Sequence, residues 1–156
     1  MDYYTIENLM DIVLRGAEIL GAKTENDGAF EIAKRSRGTP RIANRFLKRV
    51  RDYSEIRGKG IITQEIAMEA LALLGVDELG LDELDREILN GIIENYNGGP
   101  VGVETMSLLL GEDRRTLEEV YEPYLVKIGF LIRTHRGRMV TEKGYLHIGK
   151  EITVKE

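Results

Sequence analysis

A run of positive side chains is the first feature of this sequence that could do chemistry. The stretch KRSRGTPRIANRFLKRVR, from Lys34 to Arg51, holds eight of the 22 lysines and arginines and no acidic residue. The whole chain carries a formal charge of −5. Because guanidinium groups form paired hydrogen bonds with phosphate and carboxylate oxygens, the run indicates a site for an anion on a chain that otherwise repels one.

A second group of arginines surrounds a turn near the end of the chain. Arg133, Arg136 and Arg138 lie on or beside the sequence HRG, where Gly137 can adopt a positive φ between two strand-like segments. Long basic side chains near a hairpin tip can reach the phosphates of a duplex groove. The turn is therefore predicted to be a second anion site.

The chain offers little for covalent or metal-dependent chemistry. It contains no cysteine, and its two histidines, His135 and His147, are isolated in the sequence. The segment GAEILGAKT, residues 16–24, comes close to a phosphate-binding loop, but Ala22 separates its second glycine from the lysine. We therefore predict no catalytic centre within these residues.

Four short amphipathic helices are predicted to position the first arginine run. Thr39 suits the cap of the third helix and Pro40 its first position, because a proline there has no N–H group to leave unpaired. Helical spacing of apolar residues predicts the four at about 5–20, 26–37, 39–56 and 63–75. Short connections between such helices describe a small bundle.

A domain boundary is predicted within the acidic stretch VDELGLDELD, residues 76–85. Beyond it we expect helices at about 82–97, 104–110 and 114–129, with Pro123 kinking or restarting the last one. FLIRT and RMVTE then alternate like the strands of a hairpin. Three helices followed by a basic hairpin are the plan of a winged helix, so we predict a mainly α protein with domains 1–75 and 76–156.

Arg41 occupies an unusual place for a cation. It lies in the first turn of a predicted helix, where the helix dipole makes an added positive charge unfavourable by about 0.3–1 kcal/mol. Arg35 and Arg37 precede it closely. Cations gathered at a helix start are favourable when a phosphate binds there, which is the function we infer. The basic residues from Arg45 onward are better explained as a solvated helix face.

The helix predicted at 114–129 is poorly suited to reading bases. Glu118, Glu119 and Glu122 are expected near its exposed face, where a phosphate-lined major groove would repel them. Only Arg114 and Arg115, at its start, suit DNA. This pattern favours contact through the hairpin and argues against a repressor that reads an operator.

Several long motifs resemble one known family. SRGTPRIANRFLKRVRD, residues 36–52, is similar to the sensor-2 segment of the RuvB family, AAA+ ATPases that drive branch migration of Holliday junctions in bacterial recombination and repair. GGPVGVETMSLLLGEDRRTLEEVYEPYLVKIGFL and RTHRGRMVT resemble the winged-helix domain of that family. The resemblance extends from about Tyr3 to Gly149. It implies an AAA+ small helical lid domain, a four-helix bundle, followed by a winged-helix DNA-binding domain with a short β-hairpin wing.

The resemblance also implies roles for individual residues. Arg41, the arginine of GTPR, would reach the phosphates of ATP or ADP, which the intact protein would bind together with Mg²⁺. Pro40 and Tyr4 would contact the adenine.

The wing resembles the family pattern RTPRGR, in which the arginines contact the DNA backbone. Arg133, Arg136 and Arg138 match that pattern position by position, whereas His135 stands where proline is usual. Binding without base preference is expected, and each lost arginine should lower the salt slope by about 0.9.

The resemblance leaves one large part of the family out. Walker A, Walker B, sensor 1, the arginine finger and the hairpin that docks RuvA belong to an N-terminal domain not included here. We therefore expect a C-terminal fragment, inactive alone and without tightly bound nucleotide, of an ATP-dependent DNA translocase that works as a homohexamer on duplex DNA at Holliday junctions. RuvA would bind through the absent domain.

The sequence also bears on where the chain is located. The sequence has no apolar run long enough to span a bilayer and no basic, signal-like start, so we expect a cytoplasmic chain without a membrane partner.

The main alternative to the motor function is a non-enzymatic winged-helix DNA-binding regulator with a helical interaction domain. A protein-interaction module that uses the acidic surface is the third.

Overall fold

The computed structural model describes residues 3–149, which divide into two compact units, one up to Asp82 and one from Glu83 onward. The division falls inside the acidic stretch 76–85. None of the helices between residues 3 and 149 has the length and apolar character that crossing a membrane requires.

The first unit contains the four predicted helices. Its elements are α1 (Ile6–Leu20), β1 (Lys23–Thr24), α2 (Asn26–Lys34), α3 (Pro40–Arg57), β2 (Ile61–Ile62) and α4 (Gln64–Leu73). The four helices surround one apolar core, to which Leu9, Ile32, Leu47 and Leu71 each contribute a fully buried side chain. The two-residue strands β1 and β2 pair in parallel and were not predicted, since two residues are too few to show periodicity.

Helix α2 ends three residues earlier than predicted. The chain turns after Lys34, and Arg37 and Gly38 adopt positive φ angles of 58° and 74°. A helix cannot continue through two residues in this conformation. The hydroxyl of Ser36 donates a hydrogen bond to the carbonyl of Ile32 and helps to close the last turn.

The second unit has the predicted order of helices and strands. Its elements are α5 (Glu83–Tyr96), α6 (Val103–Leu110), α7 (Arg114–Thr116), a π-helical turn (Leu117–Tyr121), α8 (Glu122–Lys127), β3 (Leu131–Thr134), β4 (Gly137–Val140) and α9 (Glu142–His147). Helix α9 was not predicted. Thr141 caps it by accepting a hydrogen bond from the amide of Gly144.

Pro123 restarts the helix through a π-helical turn. Proline lacks an N–H group, so the regular i to i−4 bond to the carbonyl of Glu119 cannot form. The amide of Glu122 instead donates to the carbonyl of Leu117, five residues earlier. The extra residue in the turn changes the helical phase, and the side chain of Val120 is 58% exposed.

The predicted hairpin is present and has a short third partner. Strands β3 and β4 are antiparallel, with Leu131 opposite Val140 and Thr134 opposite Gly137. Backbone hydrogen bonds of 2.9 and 2.7 Å join Val101 to Arg138 on the outer side of β4. We call the hairpin 131–140 the wing.

Gly137 is required where the wing meets Val101. Its φ is 134°, and an added Cβ would lie 2.4 Å from the carbonyl oxygen of Val101. This atom belongs to the backbone, so it cannot move aside without breaking the bridge to Arg138. Both the conformation and the close approach therefore exclude a side chain.

We predict that Gly137→Ala lowers the free energy of unfolding by about 3 kcal/mol or more, because backbone strain and steric overlap add. Urea unfolding followed by circular dichroism measures the change. Gly102→Ala is the matched control, since an added Cβ meets nothing within 4 Å there. It should cost less than about 1 kcal/mol. Equal effects of the two substitutions would contradict this account of the wing.

Candidate functional site

The start of α3 is built as the sequence predicts. The hydroxyl of Thr39 accepts a hydrogen bond from the amide of Ile42 at 3.4 Å and donates one to the carbonyl of Ser36 at 3.2 Å. Pro40 is the first residue of the helix. The cap thereby fixes the turn between α2 and α3 and places Arg41 in the first helical turn.

Arg41 is an exposed cation at this helix start. Within residues 3–149 it forms no ion pair. Its charge lies next to the positive end of the helix dipole, which repels it. No ion pair within these residues offsets that repulsion. An anion that binds here would interact with both the guanidinium group and the helix end.

Arg35 and Arg37 do not join Arg41 in an exposed cluster, so that expectation was wrong. Both side chains are buried, and Nε of Arg35 lies 3.2 Å from Oε2 of Glu31. The loop that contains Gly80 covers this turn, since a Cβ on Gly80 would lie 2.4 Å from the carbonyl oxygen of Arg35. Packing with a segment more than 40 residues away decided their burial.

Glu31 is the buried acid that holds the end of α2. Its carboxylate accepts hydrogen bonds from Lys34 at 3.4 Å, Arg35 at 3.2 Å and Gln64 at 3.1 Å. Burial alone would raise the pKa of Glu31, but the Gln64 hydrogen bond and the charges of Lys34 and Arg35 outweigh burial and lower it. Sequence reasoning missed this residue, although its i+3 and i+4 spacing to Lys34 and Arg35 was a signal.

Tyr4 lies at the same turn as Pro40 and Arg41. Its amide donates a hydrogen bond to the carbonyl of Gly38 at 2.9 Å, and its side chain is exposed. The structure therefore brings Tyr4, Pro40 and Arg41 to one end of the first unit. An aromatic ring, a proline and an unpaired guanidinium group fit the needs of a base and a phosphate.

Arg136 is exposed at the turn of the wing. Its backbone amide donates to the hydroxyl of Thr134 at 3.2 Å, which fixes the turn, and its guanidinium group has no ion-pair partner in the described part of the chain. Its charge is therefore available to an external anion.

Arg133 and Arg138 instead contact Glu122 at the start of α8. Nη2 of Arg133 lies 3.0 Å from Oε2 of Glu122. Arg138 contacts both oxygens of that carboxylate, Nε with Oε1 at 2.5 Å and Nη2 with Oε2 at 3.2 Å. Glu122 was expected near an exposed face, but its side chain is 0% exposed, because α8 packs against the wing and the two arginines cover the carboxylate.

The arginines at the start of α7 also have acidic neighbours. Arg114 lies 2.8 Å from Glu104 and 3.2 Å from Glu118. Arg115 lies 3.8 Å from Glu119. Exposed pairs of this kind contribute little to stability, yet they partly neutralise the two cations that seemed best placed to meet DNA on this helix.

The described residues include no group of three or more histidine or acidic side chains that could hold a metal ion.

Comparison with known families assigns both units. Residues 4–77 match the model of the RuvB AAA lid domain, and residues 78–149 match the RuvB C-terminal winged helix domain. A Holliday junction branch migration complex subunit RuvB from Fusobacterium nucleatum is 68% identical over 99% of this chain, and its counterpart from Nostoc punctiforme is 59% identical over 94%. The matches cover 46% and 40% of those two relatives.

A solved structure agrees with the sequence comparisons. The Thermotoga maritima RuvB Holliday junction branch migration motor superimposes with a TM-score of 0.95 at 48% identity, over 98% of this chain and 51% of that one. The chain thus spans about half the length of its relatives. The predicted fold, a helical lid followed by a winged helix with a β-hairpin wing, is confirmed.

We predict that Glu31 makes stability depend on acid pH. Because its folded pKa is lowered, Glu31 contributes stability above the ordinary glutamate value of 4.5 that is lost as the pH falls through the folded value. Glu31→Gln should reduce the free energy of unfolding at pH 7 by about 1–3 kcal/mol and flatten its decline below pH 4.5.

Urea titrations between pH 3 and pH 7, about the range where carboxylates titrate, measure this effect. Glu55→Gln, at an exposed position of α3, is the control and should leave the pH profile unchanged. A profile for Glu31→Gln parallel to that of the unmodified chain would refute the role given to Glu31.

Proposed function

The chain consists of the AAA lid and the C-terminal winged-helix domain of the RuvB family, and on this premise we propose that it is the nucleotide-sensing and DNA-binding part of an ATP-driven motor for branch migration of Holliday junctions. One observation carries the proposal. Each unit presents an exposed arginine without an ion-pair partner among residues 3–149, Arg41 at a helix start and Arg136 at a hairpin turn. Both are places where phosphate oxygens bind favourably.

In the lid, Arg41 would contact the phosphates of ATP or ADP, and Tyr4 and Pro40 would contact the adenine. Hydrolysis of the bound nucleotide, with its Mg²⁺ ion, supplies the free energy for movement. Because Arg41 lies on the rigid helix α3, loss of a phosphate contact would be transmitted to the lid as a whole. One arginine cannot replace a full phosphate cradle, so the chain alone should bind nucleotide weakly and hydrolyse none.

In the second unit, the wing would hold duplex DNA by contacting the phosphate backbone of the DNA. Sequence-independent binding suits a motor that must move along DNA of any sequence. Reading of an operator by the helical segment 114–127 is disfavoured, because exposed Glu119 and partly exposed Glu118 would face the groove and Arg114 already contacts two carboxylates. This separates the motor from the alternative of a winged-helix regulator.

The proposal extends to the partners of the intact protein. It would assemble as a homohexamer around duplex DNA at Holliday junctions, bind RuvA through a further domain and work in the bacterial cytoplasm. The relatives are named as subunits of a Holliday junction branch migration complex, which supports this assembly.

We predict salt-dependent binding of this chain to duplex DNA and four-way junctions without base preference. Arg136→Ala should reduce the slope of log K against log salt by about 0.9, because one phosphate contact is lost. Fluorescence anisotropy at several salt concentrations measures the slope. Arg45→Ala, an exposed arginine of the lid, should leave it unchanged. Strong preference for one duplex sequence would instead support a regulator.

The role of Arg41 is tested by joining this chain to the N-terminal domain of the Fusobacterium nucleatum relative. We expect Arg41→Ala to reduce kcat for ATP hydrolysis by about 100-fold, as for loss of one preorganised charge. Arg45→Ala, which removes the same charge one turn later on α3, should change kcat by less than about twofold. Unchanged hydrolysis in Arg41→Ala, with an intact circular dichroism spectrum, would contradict the nucleotide role.

A further inference from the structure

The three arginines of the wing differ in their surroundings, although the sequence pattern treats them alike. Arg136 is exposed, the Arg133 side chain is 47% exposed and the Arg138 side chain is 17% exposed. The latter two converge on the same carboxylate, that of Glu122, which is fully buried. These differences indicate separate tasks.

Both the side chain and the backbone of Arg138 are held by neighbouring residues. Its guanidinium group contacts both oxygens of Glu122, and its Nη2 also lies 3.7 Å from Glu118. Its backbone exchanges two hydrogen bonds with Val101. Arg138 thus connects β4 to α8 through its side chain and to the connection before α6 through its backbone. Turning toward an external phosphate would leave a buried carboxylate without this two-point partner.

Arg133 contacts the same site more loosely. Only its Nη2 is involved, at 3.0 Å from Oε2 of Glu122 and 3.3 Å from the carbonyl oxygen of Glu118. Arg138 alone can balance the charge of Glu122, so Arg133 is a second cation on one carboxylate. Of the two cations on Glu122, Arg133 is the more exposed.

We propose that Glu122 is a positioning residue that anchors the wing to α8, that Arg138 belongs to this anchor and does not contact DNA, and that the phosphate contacts of the wing come from Arg133 and Arg136. The DNA part of this inference rests on the function proposed above. The anchor itself is a property of the free chain.

The anchor would fix the orientation of the wing. A two-stranded hairpin is marginally stable by itself, and the wing presents its cations usefully only if its orientation is fixed before DNA arrives. A carboxylate that is fully withdrawn from water binds a guanidinium group with little competition from solvent. Glu122 therefore holds the strand that carries Arg138, and Arg133 and Arg136 are presented at set positions.

The inference predicts different salt slopes for the three arginines. Arg133→Gln and Arg136→Gln should each lower the slope of log K against log salt by about 0.9. Arg138→Gln should change the slope by less than about 0.3, which is well below one contact. It should weaken binding about equally at every salt concentration, because a wing that is no longer anchored must be ordered when DNA binds, and this cost does not depend on salt.

Amide hydrogen exchange tests the anchor without DNA. The amides of Arg138 and Val140 donate to the carbonyls of Val101 and Gly98, so they report on the attachment of β4. Glu122→Gln and Arg138→Gln should accelerate their exchange about tenfold or more by local opening. Arg136→Gln is the matched control and should leave it unchanged.

Arg138→Lys separates charge from geometry and is also available if the glutamine variants unfold. Lysine keeps the positive charge but cannot contact both oxygens of Glu122 as a fork does. Under the inference, Arg138→Lys still exchanges faster at the Val140 amide than the unmodified chain. Full protection in Arg138→Lys, or a slope lowered by about 0.9 in Arg138→Gln, would overturn the inference while leaving the proposed function in place.

Failure of the proposed function would give a different result from failure of the anchor. If the unmodified chain shows no salt-dependent DNA binding, the proposed function fails and the phosphate contacts assigned to Arg133 and Arg136 fail with it. Exchange at the Val140 amide then still decides the anchor, because that measurement contains no DNA. Faster exchange in Glu122→Gln supports the anchor, and unchanged exchange overturns it.

Discussion

A carboxylate that leaves water must be compensated by cations and hydrogen-bond donors, and this constraint shapes both units of the chain. Glu31 is surrounded by Lys34, Arg35 and Gln64, and Glu122 by Arg133 and Arg138. Removing one partner from such a buried group costs about 3–5 kcal/mol, far more than an exposed pair contributes. Each acid therefore fixes one arginine inside the protein, Glu31 fixing Arg35 and Glu122 fixing Arg138.

The sorting of arginines has a functional consequence. In the first unit Arg35 is fixed by Glu31 at the end of α2, and the turn that follows presents Arg41 at the start of α3. In the second, Arg138 is fixed by Glu122, and the wing presents Arg136. Each candidate phosphate contact thus lies a few residues from an arginine held by a buried acid. Fixed backbone near an exposed cation reduces the ordering cost of binding.

Much of the fold could be predicted from local signals. Thr5, Thr39 and Thr63 each accept an amide hydrogen bond at the start of a helix, and Gly137 provides the positive φ that the hairpin requires. These features depend on residues within three or four positions of one another. The burial of Arg35 and Arg37 could not be predicted in this way, because it depends on Gly80, and neither could the π-helical turn be distinguished from a simple kink at Pro123.

The sequence by itself determined the helices other than α9, the hairpin, the family and the fact that arginines gather at two places, since capping, periodicity and motif length are local properties of a chain. Only the tertiary structure decided what each arginine does. A guanidinium group behaves as an internal counter-charge or as an external contact according to whether a carboxylate is buried beside it, and that depends on how α8 packs on the wing and how the Gly80 loop covers α2. Sequence spacing carries no record of such packing.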